Sequence, residues 1–179
     1  MKDLLELLEA MAGKKAEVAD PRELFLDMAE RVVKAVSQAF ACKTDEVAIL
    51  MVTTDAKHLR FAAPRKFCDL GTIPVTKRDS IAVNVLGKKA GEAVNNVPMV
   101  KHVAFFETVK LRDKAVPIQK MITVPILHGP DAVGVAQISR KGESPQNAGP
   151  DFSPADVRKA QEFFQAVAPH LLHARPERF

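Results

Sequence analysis

The chain has 179 residues, 47% of them hydrophobic and 27% charged, with a formal net charge of +4. That profile excludes a disordered segment and a collagen-like fibre, and apolar runs such as VAILMV are too short to cross a bilayer. Only two cysteines are present, Cys42 and Cys68, so no disulfide framework is expected, and acids inside MKDLLELLEAMAGKK set the start apart from a secretory leader. The expectation is a cytoplasmic globular protein with reduced thiols.

In chain order, Leu4, Leu5, Leu7, Leu8 and Met11 fall at helical spacing, and AGKKAEVAD then interrupts the pattern. So short a helix is marginal alone in water and needs a partner surface. Asp20 is placed as an N-cap, with Pro21 at the first helical position and Glu23 at the third. The stripe Phe25, Met28, Val32, Val36, Ala39 carries that helix to about Phe40. EVAILMVTTD is apolar on both parities, which predicts a central strand covered on both faces, and HLRFAAP is its expected hairpin partner. Arg65 to Val75 is aperiodic, with Pro, Gly and charged residues, and reads as a long loop of the kind that often carries function.

Asp79 or Ser80 is expected to cap a helix bearing Ile81, Val85 and Leu86 and ending near Gly87; GEAVNN reads as a short edge strand. Pro98 to Phe106 fits a helix or an extended segment equally well. MITVPIL and AVGVAQIS are rich in branched residues and flank HGPD, which predicts a hairpin. Pro125 inside the first of these strands requires an open edge or a bulge, and Gly134 in the second suggests a bend or a close backbone approach. DFSPADV then supplies Ser153 as N-cap, Pro154 at the first helical position and Asp156 at the third. The last helix has the stripe Val157, Ala160, Phe164, Val167, Leu171.

Between Lys57 and Lys120 there are 13 Lys and Arg against 5 Asp and Glu. The positive residues are spread over several elements without aromatic interleaving or a recognition-helix pattern, so a solvated basic face or an anionic ligand is expected rather than DNA. His170 and His173 are three apart on the last helix, but two nitrogens do not make a metal site, and none of the five histidines falls into a ligand spacing. No Ser-His-Asp order and no glycine-rich phosphate loop stands out.

GTIPVTKRDSIAVNVLGKKAGEAVNN in the middle, and ITVPILHGPDAVGVAQISRKG followed by DFSPADV near the end, together resemble a GAF domain over roughly residues 22–173. The resemblance implies an α+β fold: an antiparallel sheet of about six strands, the N- and C-terminal helices on one face, and loops and short helices forming a pocket on the other. The domain is expected over residues 21–174, preceded by a helical arm and linker over 1–20 and followed by a tail over 175–179. Where cyclic-nucleotide-binding GAF domains carry an Asn-Lys pair, this chain has Ser139, Arg140 and Lys141; Phe152 and Asp156 match that signature, but Val157 replaces its glutamate. The few GAF domains that reduce free methionine sulfoxide use several pocket cysteines, and here only Cys68, beside Arg65 and Lys66, lies in a functional-looking loop. The motif that neighbours a phytochrome chromophore cysteine is absent.

The sequence therefore reads as a stand-alone, non-catalytic sensor that binds a small molecule, an anion fitting the basic middle, with no cofactor assigned. Its ligand-binding residues are expected to be Arg65, Lys66, Phe67, Thr72, Ser80, Asn95 and His102. It is expected to pair as a homodimer through the arm and long helices and to signal to an output partner that its sequence does not name. The alternatives are a structural dimerisation module with a vestigial pocket and, behind it, a cysteine-dependent methionine sulfoxide reductase.

Overall fold

A computed structural model of the chain describes residues 1–100 and 116–179. Asp20 opens the first long helix as expected: its carboxylate accepts from the backbone N–H groups of Arg22 and Glu23, and α2 runs Pro21–Ala39 behind Pro21. Ser153 caps the last helix, α4 (Pro154–Ala174), in a reciprocal box. Its hydroxyl accepts from Asp156 N at 3.2 Å, and Asp156 Oδ2 accepts from Ser153 N at 2.8 Å. Two shorter helices are also present among the described residues, α1 (Lys2–Gly13) and α3 (Ile81–Lys88), the latter capped by Ser80.

The box makes a measurable contribution. Ser153→Ala is expected to cost about 1 kcal/mol, read by urea denaturation. The backbone N–H of Ser153, followed by its hydroxyl, holds the Asp156 carboxyl below its ordinary value. A carboxylate whose folded pKa is depressed stabilises fully above its unfolded value, about 3.9. That part of the stability is lost as pH falls through the folded value, and the hydroxyl's share of it, but not the larger share of the backbone N–H that alanine keeps, should be missing from the acid limb of the Ser153→Ala profile.

Six strands form one antiparallel sheet: β1 (Val47–Val52), β2 (His58–Ala63), β3 (Thr72–Pro74), β4 (Glu92–Val94), β5 (Ile118–His128) and β6 (Asp131–Lys141). The order across it is β3-β2-β1-β6-β5-β4, so VAILMV is central, as its two apolar parities require. The 65–75 segment, read from sequence as loop throughout, contains a single 3-10 turn at Arg65–Phe67 and then the edge strand β3. A three-residue strand is too short to show periodicity. Strand β4 pairs with β5 only from Met121 to Thr123, so among the described residues no strand pairs with that side of β5 at Pro125, which is what a residue without an N–H needs.

Register fixes the two faces. The Gly91 backbone lies between Val124 and Val157 of α4, placing Val124 toward the helices. Cross-strand pairing then carries Ile49, Ala136 and Ile138 to that face. Leu50, Met121, Thr123, Val135 and Gln137 take the opposite one.

Helices α2 and α4 pack on the first face, and α1 packs on both of them. Leu8 and Ala12 of α1 are buried against the same chain, whereas Leu4, Leu5 and Met11 are only half-buried and Leu7 is 40% exposed, so the arm's apolar stripe is covered in part. Helix α3 packs on β5 and β6 without entering that helical layer. The terminal residues also fold back, for Phe179 O accepts from Thr54 N at 3.0 Å and the Phe179 ring is buried. No described helix is long and apolar enough to cross a membrane.

Candidate functional site

The sheet face turned away from the helices is lined mainly by Leu50, Leu59, Phe61, Met121 and Val135, all at most 2% exposed. Two polar side chains sit among them at the centre of the sheet. Thr123 on β5 and Gln137 on β6 are cross-strand partners, 1% and 4% exposed, and Gln137 Nε2 donates to Thr123 Oγ1 at 3.2 Å. On its other side Gln137 faces Ala48 of β1, a side chain too small to cover an amide. Gln137 Oε1 is buried and has no hydrogen-bond partner among the described residues. A buried amide oxygen left without a donor costs about 1–3 kcal/mol, so this group is primed for one.

The residues expected from sequence to line a pocket have varied surroundings. Arg65 is drawn to α2, pairing with Glu23 at 2.7 Å and Asp27 at 2.5 Å, and the Glu23 hydrogen bond is the first reason its pKa lies above the ordinary value. Lys66 is exposed, its ammonium 5.1 Å from the Phe67 ring centroid. Phe67 is buried with its ring 5.4 Å from that of Phe61, which places it beside the face opposite the helices. Thr72 is exposed on β3, and the Ser80 hydroxyl accepts from Val83 N at the start of α3. Asn95 uses both ends of its amide on the backbone of Phe152, at 2.9 and 3.0 Å, tying β4 to the entrance of α4. His102 lies outside the described residues, as does most of the 98–106 segment.

Gln137 and Thr123 are absent from that set because a polar residue inside AVGVAQIS or MITVPIL reads as the solvent side of a half-exposed strand. The available signal was the register: folding the two strands back across HGPD brings Thr123 opposite Gln137 between apolar pairs.

The two thiols are free and raised in pKa. Burial, followed by the nearby Glu46 carboxylate, pushes the Cys42 thiol up to about 11. Burial also raises Cys68, which is 3% exposed, and outweighs the cations Arg22 and Arg65 nearby. Both cysteines are therefore thiols rather than thiolates at neutral pH, the less nucleophilic form. In native protein at pH 7.5, iodoacetamide is expected to label both far more slowly than in urea-unfolded chain; equal rates would show an activated thiol. Among the described residues no group of three His, Cys, Asp or Glu side chains is placed to hold a metal ion.

No protein-family model and no curated protein sequence matches the chain. Solved structures do. The GAF domain of a phosphoenolpyruvate-protein phosphotransferase from Coxiella burnetii superposes with a TM-score of 0.66 at 11% identity, covering 96% of this chain and 94% of that one. The corresponding GAF domain from Acinetobacter gives 0.64 at 12% identity, covering 95% and 93%. A free methionine-R-sulfoxide reductase from Neisseria meningitidis, solved with its substrate, gives 0.58 at 16% identity, covering 96% and 90%. With a six-stranded antiparallel sheet that carries α2 and α4 on one face, the chain has the fold of a GAF domain.

Proposed function

We propose that this chain is a non-catalytic sensor domain that binds a small molecule on the sheet face opposite the helical layer and signals through that layer. The observation that carries the reading is the Thr123–Gln137 pair, a buried polar anchor with an unanswered acceptor on a mainly apolar face. Small-molecule sites have this composition, an apolar lining with a few placed polar groups. Phe67 borders the same face and is retained in the proposal. Arg65, held by Glu23 and Asp27, is better suited to fixing the 65–68 turn against α2.

Methionine sulfoxide reduction is the second reading, because proteins with that activity share the fold. It requires a thiolate to attack the sulfoxide, and the raised pKa values of both Cys42 and Cys68 weigh against it. Pairing of two copies is part of the proposal. A groove of about 670 Å³ between α1, α2 and α4, lined by Met1, Leu4, Ala35, Ala39 and Phe163 among others, offers apolar surface for it.

The test is mass spectrometry of the natively purified protein after denaturation, with light scattering alongside. A small molecule released in stoichiometric amount, from protein that remains inactive toward methionine sulfoxide, supports the sensor. Sulfoxide reduction that Cys68→Ser abolishes would replace it with the enzyme. A ligand-free dimer whose stability no metabolite raises would leave the structural module.

A further inference from the structure

Thr123 and Gln137 say more about the ligand than where it sits. With Gln137 Nε2 donating to Thr123 Oγ1 at 3.2 Å, the threonine keeps its own hydroxyl proton to donate, and Gln137 Oε1 keeps its acceptor capacity. The pair thus presents one donor and one acceptor side by side. Turning the glutamine amide over leaves this unchanged: Thr123 then donates to Oε1, an amide N–H becomes the outward donor, and the threonine oxygen becomes the outward acceptor. Both side chains are more than nine-tenths buried, in the two longest strands of the sheet, so the pair is held rather than mobile.

From this geometry we infer that the Thr123–Gln137 pair recognises a small neutral ligand carrying a donor and an acceptor on neighbouring atoms: an amide, a lactam or the edge of a nitrogen heterocycle. A carboxylate or phosphate offers acceptors only and would set its charge against Gln137 Oε1, on a face whose nearest same-face neighbours are Ala48, Val135 and Ser139. The Ser139 hydroxyl is already donated to Glu46 O at 2.9 Å. This selects against the anionic ligand that the basic middle of the sequence suggests. The inference rests on the reading that a ligand occupies this face.

Solution NMR of the full chain separates the two. Benzamide and caprolactam serve as neutral probes and benzoate as the isosteric anion. The readouts are the side-chain amide signals of Gln137, assigned by their loss in Gln137→Met, and the methyl signals of Leu50, Met121 and Val135. Benzamide and caprolactam are expected to move both sets, benzoate neither, and binding is expected to weaken about tenfold or more in Gln137→Met. Thr123→Val should weaken it likewise, which keeps the test intact if one variant folds poorly by circular dichroism. Benzoate binding as tightly as benzamide, or neutral probes that bind Gln137→Met undiminished, overturns the inference while leaving the pocket. Methyl signals that no probe moves overturn both.

Discussion

Gly134→Ala is expected to destabilise the protein by about 2–3 kcal/mol, the upper part of the range for overpacking a filled core. A Cβ at this position would lie 2.4 Å from Leu50 O, 2.9 Å from Met51 Sδ and 3.2 Å from Met51 Cα. The methionine sulfur can swing away, but the carbonyl belongs to β1, which is hydrogen-bonded to β2 on one side and β6 on the other. Relief therefore requires two central strands to separate, and a shift there reaches the helical layer through Ile49 and the Thr123–Gln137 face through Leu50. At about 2–4 °C per kcal/mol for a domain of this size, the melting temperature should fall by roughly 5–10 °C. Calorimetry measures it, and an unchanged midpoint would mean that β6 and β1 do not approach this closely. Gly87→Ala is the control, since nothing lies within 4 Å of its added methyl group.

Phe25→Ala is expected to be costlier still, about 3–5 kcal/mol, as for other buried phenylalanines cut to alanine. Phe25 is 0% exposed, and its ring meets the Phe179 ring edge-on at 5.0 Å and 73°. Phe179 in turn lies under the Arg60 guanidinium at 5.8 Å, and its backbone N–H donates to Thr54 Oγ1 at 3.1 Å. Arg175 Nη1 reaches Val52 O at 2.9 Å, so residues 175–179 strap the end of α4 to the β1–β2 hairpin. Phe179→Ala should cost less, because that ring is 7% exposed and lies at the end of a strap that can relax. The double variant should fall short of the sum by about 0.5–1.5 kcal/mol, the coupling of an aromatic pair. Urea denaturation of the three variants reads this directly, and strict additivity would show that the rings do not hold each other.

How much of this was legible depends on the range of the interactions involved. Asp20 and Ser153 announced their helices because a cap acts within three residues, and the stripe of α2 announced its buried face because helical periodicity is local. VAILMV declared itself central through its two apolar parities, and Pro125 declared the open edge that β4 leaves. The GAF resemblance, carried by short stretches around these elements, extended the reading to a sheet of about six strands and to the face that holds the helices, but not to the strand order.

The site was not legible in the same way. Arg65 looked like a ligand anchor in an aperiodic loop until Glu23 and Asp27, some forty positions earlier in the chain, were seen to take its charge. The arm's leucines call for a surface to cover them, and contacts with α2 and α4 supply one for Leu8 while leaving Leu7 exposed. Residues 175–179 read as a tail, since a single phenylalanine has no period and only its meeting with Phe25 reveals its role. Gln137 carries no local signal within AVGVAQIS, and the pairing of β6 with both β1 and β5 makes it the buried centre of a sheet face. By itself the sequence determined which elements form and where they start, because caps, stripes and turns are settled by neighbours a few residues away. The tertiary structure alone decided which side chains share a face and which charges are already spent, because those outcomes depend on contacts between segments that no local pattern records.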